Sequence, residues 1–377
     1  MKLTIAAAVA ASSLLPTSTH ASNADTRSRN LRADDTPPSS SSTTTVTSNR
    51  PNVIIMQPDD LHFYDIWNPP PNNPDNPNQS HVTSSYGLPN IESLRLNGIQ
   101  MMEAYTTSAM CGTSRFSTMT SRYPSRAVSN VKDGRKHVVI PKTKLDSEDC
   151  TSDNIAVQFR DNGYRTAMFG KWHLTEIDKD TYTYENAVSS VKECGFDTVG
   201  GLYIENLWVV DEHFMGTYND GSFSHNMEWV THEAIKVIKE ESEDPFFMYF
   251  NPTVPHSANS VGGALKDFSC RDTPAGRLGS DLVIPGMTEE YGGNCEAYRK
   301  SIYDRAEDYD DLGAIWVDDA VGALLRALKE QDVLDDTIFV FQVSIELYAS
   351  QALSPPHSLC LLTFVSILSQ LLRLIMA

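Results

Sequence analysis

Two adjacent carboxylates, Asp59 and Asp60, close a Gln57-Pro58-Asp59-Asp60 turn that follows the apolar run Val53-Ile54-Ile55-Met56. Such a pair suits a hard divalent cation, since each side chain offers an oxygen and neither selects a softer metal. Lys171 and His173 come in Gly170-Lys171-Trp172-His173, and His256 in Asn251-Pro252-Thr253-Val254-Pro255-His256, each again just past an apolar run. Two carboxylates, a lysine and two histidines with a bound cation could make a site that accepts an anionic small molecule. Cys111, in Cys111-Gly112-Thr113-Ser114-Arg115, precedes a stretch from Phe116 to Arg122 that reads as a short helix. A thiol at a helix N-terminus sits among unpaired backbone N–H groups, which favour an anion. Each feature alone has a plainer reading: a solvated Asp-Asp turn, a hydrogen-bonded structural histidine, a disulfide or buried thiol.

What lifts three of these motifs above the plain readings is their place behind three successive strands. Val53 to Met56, Tyr164 to Phe169, Phe246 to Phe250 and Thr337 to Phe341 are short runs rich in apolar, β-branched and aromatic residues, as expected of strands buried on both faces. Helical signals lie between them. Asp153 reads as the N-cap of a helix ending before Gly163, Met227 to Glu240 has helical spacing, and Leu312, Ile315, Trp316, Ala320, Leu324 and Leu328 share one helix face. Alternating strands and helices predict an α/β fold, a large mostly parallel sheet flanked by helices on both faces. In such sheets ligands bind beyond the carboxyl ends of the strands, which would gather the two carboxylates, the lysine and the two histidines at one edge.

The chain has 377 residues, 40% hydrophobic, with a formal net charge of −19. The acidic balance argues against a nucleic-acid partner, while local cations or a metal can still make a cleft attractive to an anion. Six cysteines with no C-x-x-C spacing argue against structural zinc. Lys2, the apolar run Leu3 to Leu15 and Thr19-His20-Ala21 predict an export signal over residues 1–21. A Ser/Thr-rich stretch over 22–48 predicts a disordered linker, and Asn78-Gln79-Ser80 is a glycosylation sequon, so the chain is expected to be a secreted or lumenal glycoprotein of the secretory or lysosomal pathway.

With these residues assembled, the sequence resembles the formylglycine-dependent sulfatases of the alkaline-phosphatase-like superfamily. Cys111 to Arg122 is similar to that family's Cys-x-Pro-Ser-Arg signature, and Pro58-Asp59-Asp60, Gly170-Lys171-Trp172-His173-Leu174 and Pro255-His256 follow the family's order. The resemblance spans about residues 50 to 341 and implies a catalytic domain over 49–341. It implies that Cys111 is oxidised by a formylglycine-generating enzyme during export and hydrated to a diol that attacks a sulfate ester. Arg115 and His173 would then position the diol, and Lys171 and His256 would bind sulfate oxygens, with His256 the donor to the leaving oxygen. Asp59 and Asp60, with residue 111 itself, would hold Ca2+ or else Mg2+. The implied substrates are aryl sulfates or sulfated carbohydrates. Two other readings share the pattern: a phosphoesterase or phosphonate hydrolase of the same superfamily, and a non-catalytic secreted protein that binds sulfated glycans.

Three departures bear on activity. Thr113 stands where the family has proline, and Ser121 where it has glycine. After Phe341 the family continues Ser-Asp-Asn-Gly, whose Asp and Asn complete the metal site, whereas here the chain reads Gln342-Val343-Ser344-Ile345-Glu346. The apolar tail over 342–377 is expected to be aberrant, from an intron read through or a shifted frame, with the C-terminal subdomain missing. A membrane anchor is the disfavoured alternative, because Gln370 and Arg373 interrupt the apolar run. With Cys111 reserved for modification and Cys360 in the tail, Cys270 and Cys295 are the local pair and Cys150 and Cys194 remain, although four cysteines admit three connectivities.

Overall fold

The computed structural model describes residues 6–8, 50–61, 67–68, 82–83, 87–101, 104, 106–108, 110–128, 143–176, 182–207, 222–256 and 258–342. The linker, the glycosylation sequon, the tail beyond Gln342 and all of the signal segment except Ala6–Ala8 lie outside these residues.

Seven strands form the main sheet: β1 (Ala6–Ala8), β2 (Asn52–Met56), β3 (Ile99–Gln100), β4 (Arg165–Lys171), β5 (Thr198–Tyr203), β6 (Phe246–Asn251) and β7 (Thr337–Phe341). Their order is β3-β1-β7-β2-β6-β4-β5. The five strands from β7 to β5 run parallel, and β1 pairs antiparallel with both β3 and β7. Every residue of β2, β6 and β7 is buried, which is why their sequences are continuous apolar runs and do not alternate.

The helices of seven or more residues among the described residues are α1 (Pro89–Leu96), α2 (Cys111–Thr120), α3 (Ile155–Asp161), α4 (Tyr184–Lys192), α5 (Met227–Ile238), α6 (Ala258–Asp267), α7 (Cys295–Arg305) and α8 (Asp311–Glu330). The long α8 buries Leu312, Ile315, Trp316, Ala320, Leu324 and Leu328, the face its sequence spacing predicts, and packs on α5 and α1. Two expectations need correction. The N-cap of α3 is Asn154, not Asp153: its side chain accepts from the N–H groups of Ala156 and Val157. And α2 does not wait for Phe116 but begins at Cys111 itself, ending at Thr120.

Disulfides join Cys150 to Cys194 and Cys270 to Cys295, leaving Cys111 as the free buried cysteine of the described residues. Among those residues no helix is long and apolar enough to cross a membrane.

Candidate active site

The carboxyl ends of β2, β4 and β6 deliver their polar residues to one sheet edge, and α2 lies across it. Its residues Cys111, Ser114, Arg115 and Thr118, spaced three and four apart, share one face. That face is polar yet buried, so it is held by hydrogen bonds rather than by apolar packing. Ser114 accepts from Gln57 Nε2 at 3.2 Å, and Gln57 Oε1 in turn accepts from the Tyr249 hydroxyl at 2.5 Å. Thr118 accepts from Gln342 Nε2 at 3.0 Å, which ties the helix to the end of β7.

Arg115 is fully buried; Nη2 donates to Asp59 Oδ1 at 3.1 Å and Nη1 to the Lys171 carbonyl at 3.0 Å. Lys171 Nζ donates to the other oxygen, Asp59 Oδ2. One buried carboxylate thus carries two buried cations. Burial alone would raise the Asp59 pKa, but Lys171 and then Arg115 and His256 outweigh it and hold the carboxyl well below the usual range. The same pairing keeps Lys171 and Arg115 charged against the penalty of burial.

Gly170 makes this convergence sterically feasible. Its φ is +85°, and a Cβ there would lie 1.9 Å from the Asn251 carbonyl oxygen, so β4 can approach β6 this closely only at a glycine. Three residues on, His173 also adopts a left-handed backbone, φ 64°. Its Nδ1 lies 3.2 Å from Cys111 Sγ, and its Nε2 3.0 Å from Glu205 Oε2. Burial lowers the His173 pKa to about 4, so the imidazole is neutral at neutral pH. Burial pushes the Cys111 thiol up, only partly offset by Lys171, so it is a thiol and not a reactive thiolate. Asn206 Oδ1 approaches the thiol at 4.0 Å.

Asp60 and His256 complete the edge. His256 Nε2 lies 3.6 Å from Asp60 Oδ2, and the Asp59 N–H reaches the Val254 carbonyl at 3.3 Å, which joins the two loops. The structure therefore gathers two bonded groups at this edge, Cys111 with His173 and Asp59 with Arg115 and Lys171; the charges of Lys171 and Arg115 act on Cys111, and Asp60 and His256 lie beside them. For a divalent cation, Asp59 and Asp60 fit in kind but not in number: two carboxylates stand against about 6–8 oxygens around calcium, and both oxygens of Asp59 already accept from cations.

Four residues of the site escape sequence reading. Glu205 and Asn206 follow β5, yet Gly200 and Gly201 break that strand's apolar run. Lys144, which donates to Glu205, lies in a loop with no pattern, and Gln57 looks like an ordinary turn residue.

The family model described as Sulfatase matches residues 71–343, which takes in the site except for Gln57, Asp59 and Asp60. An arylsulfatase of Hemicentrotus pulcherrimus is 27% identical over 252 residues, 62% of this chain and 42% of that protein. An N-acetylgalactosamine-6-O-sulfatase of Bacteroides thetaiotaomicron is 24% identical over 275 residues, 55% of this chain and 50% of that one. A solved structure titled for glycosaminoglycan metabolism by the same bacterium covers 78% of this chain and 62% of its own, at TM-score 0.47 and 17% identity. The chain spans half or less of the length of these two curated relatives.

Proposed function

The chain belongs to the sulfatase family, and from that premise we propose that it hydrolyses sulfate esters at residue 111. The observation that carries the reading is a buried cysteine at the start of a helix that meets the His173 imidazole and lies within the electrostatic reach of two buried cations held on Asp59. Cys111 Sγ stands where the oxygens of a hydrated formylglycine would be. Formed during export by a formylglycine-generating enzyme, that group supplies a diol of which one hydroxyl attacks sulfur and the other helps to expel sulfate, splitting one difficult step into two.

The chain's own residues do the rest. Arg115 and Lys171 present positive charge to the sulfate oxygens, and they do so preorganised on Asp59, so no reorientation is needed as charge shifts. His173 accepts through Nδ1 from a hydroxyl on residue 111. His256 is the donor to the leaving oxygen. Thr113 occupies the third position of α2, and the first helical bond runs from the Ser114 N–H to the Met110 carbonyl, so a family-like proline at 113 would break no helical bond.

Asp59 and Asp60 would supply only two of the ligands that Ca2+ (Mg2+ is the alternative) needs, and such an ion would make a neighbouring hydroxyl more acidic. Because Val343 and Ser344 stand where Asp and Asn are expected, slow turnover is the expected result. Substrates are aryl sulfates or sulfated carbohydrates, met in a secreted or lumenal setting. A second reading, a non-catalytic protein holding sulfated glycans in the same cleft, is favoured by the substitution of those two metal ligands alone.

Mass spectrometry of the Cys111 peptide from exported protein, with a p-nitrophenyl sulfate assay, separates the two. Formylglycine with hydrolysis supports the enzyme. Intact cysteine throughout, with binding of sulfated oligosaccharide, supports the second reading. Restoring Ser-Asp-Asn-Gly after Phe341 should raise turnover by orders of magnitude; equal rates with and without it would overturn the metal-ligand argument.

A further inference from the structure

We propose that Glu205 is a positioning residue: held by Lys144, its carboxylate fixes His173 in the tautomer with the proton on Nε2, so that Nδ1 meets residue 111 as an acceptor. The functional meaning rests on the reading of residue 111 given above; the tautomer itself does not.

The chemistry of the three groups forces the assignment. A carboxylate can only accept, so the 3.0 Å contact from Glu205 Oε2 requires a proton on His173 Nε2. A neutral ring has one proton, which leaves a lone pair on Nδ1, 3.2 Å from Cys111 Sγ. Lys144 can only donate, and it grips both ends of the pair: Nζ reaches Glu205 Oε1 at 2.5 Å and the His173 carbonyl at 3.2 Å. The backbone adds a further tie, because the His173 N–H donates to the Ile204 carbonyl at 2.9 Å, one residue before Glu205. Burial pushes the Glu205 carboxyl up, but its bonds to His173 and Lys144 more than cancel this and keep it ionised. A base oriented by a third group is the logic of a nucleophile–histidine–acid triad, and here the third group is itself clamped by a fourth.

The test is ring 15N NMR of the full chain labelled at histidine, with Nδ1 and Nε2 of His173 assigned by their loss in His173→Gln. The wild-type protein is expected to show a protonated Nε2 and a bare Nδ1. In Glu205→Gln the shape is kept, but Lys144 takes the amide carbonyl and turns the NH2 group towards Nε2, so the proton must move to Nδ1 and the two signals exchange character. Adding Lys144→Met frees the amide to turn its carbonyl back, and the wild-type pattern should return. A packing role alone would not produce inversion followed by rescue. If Glu205→Gln does not fold, Glu205→Ala should show a mixture of tautomers. A wild-type proton on Nδ1, or one unchanged tautomer across these variants, overturns the inference. In turnover, Glu205→Gln should lower kcat about 100-fold with little change in KM, and an unchanged kcat also counts against it. No hydrolysis together with the expected NMR pattern would sink the sulfatase reading and leave the tautomer assignment standing.

Discussion

Two arginines of the described residues are fully buried, and their surroundings differ. Arg299 on α7 meets Glu228 on α5 with two bonds of 2.9 Å, and its Nη1 donates to the Ala264 and Phe268 carbonyls at 2.8 and 2.9 Å. One cation answers one carboxylate, and every guanidinium nitrogen is engaged. Arg115 shares Asp59 with Lys171, so two cations answer one carboxylate, and its Nε makes no hydrogen bond among the described residues. The first arrangement is closed and needs nothing further. The second sets two cations on a single carboxylate and leaves a buried donor idle, a costly state for a buried group, and one that an anion would relieve.

The largest effect should come from breaking the closed pair. Arg299→Met strands Glu228 in the interior and should lower unfolding free energy by about 3–5 kcal/mol, read by urea denaturation, with Glu228→Gln in the same chain recovering much of it. Lys171→Met should cost much less, because Asp59 keeps Arg115. Equal losses for the two would erase the distinction between closed and open clusters.

Next in size is the response to anions. Saturating sulfate at 100 times its Kd stabilises a binding-competent fold by about 2.7 kcal/mol. A shift in the urea midpoint with sulfate, against chloride at equal ionic strength, is expected for the wild type and for Arg299→Met but not for Lys171→Met. A sulfate shift that survives Lys171→Met would break the comparison from the other side.

A histidine between the clusters gives a pH test. His225 lies three residues before Glu228, and its two ring nitrogens meet the Thr253 and Ser260 hydroxyls at 2.8 and 3.1 Å. Burial, then the charge of His256, lowers its pKa from 6.5 to about 3. The folded value lies below the unfolded one, so the unfolded chain binds more protons in that window and stability falls as pH falls from about 6.5 towards 3. Between pH 6.5 and 5 this amounts to about 1.5 kcal/mol. His225→Asn should flatten the stability profile by that much; an unchanged slope would show that His225 does not titrate as its burial requires.

How much of this was legible depended on whether the information was local. The run Thr337 to Phe341 is the strand, residue for residue, because a strand buried on both faces writes itself as an uninterrupted apolar word. The rule that ligands gather beyond strand ends picked out Asp59, Lys171 and His256. It failed at Glu205 because two glycines hid the strand before it. The start of α2 was misjudged because Gly112, Thr113 and Ser114 carry poor helix propensity, and tertiary bonds to Gln57, Asp59 and Gln342 override it. The two-to-one balance at Asp59 is a fact of three dimensions that no spacing reveals.

The smallest test concerns the far end of the helix that carries Arg115. Ser121 caps α2 with φ 55°, in the left-handed region, where a Cβ crowds the backbone and glycine does not. Ser121→Gly should therefore stabilise the fold by about 1 kcal/mol, since the relief of strain of roughly 1–2 kcal/mol exceeds the extra chain entropy lost by glycine. The comparison predicts something more specific: the sulfate-dependent shift should stay as it was, because it is set by the charge of Arg115 and Lys171 and not by how firmly the helix ends. A variant that gains stability yet loses its response to sulfate would mean that strain at Ser121, rather than charge at Asp59, keeps the cluster open.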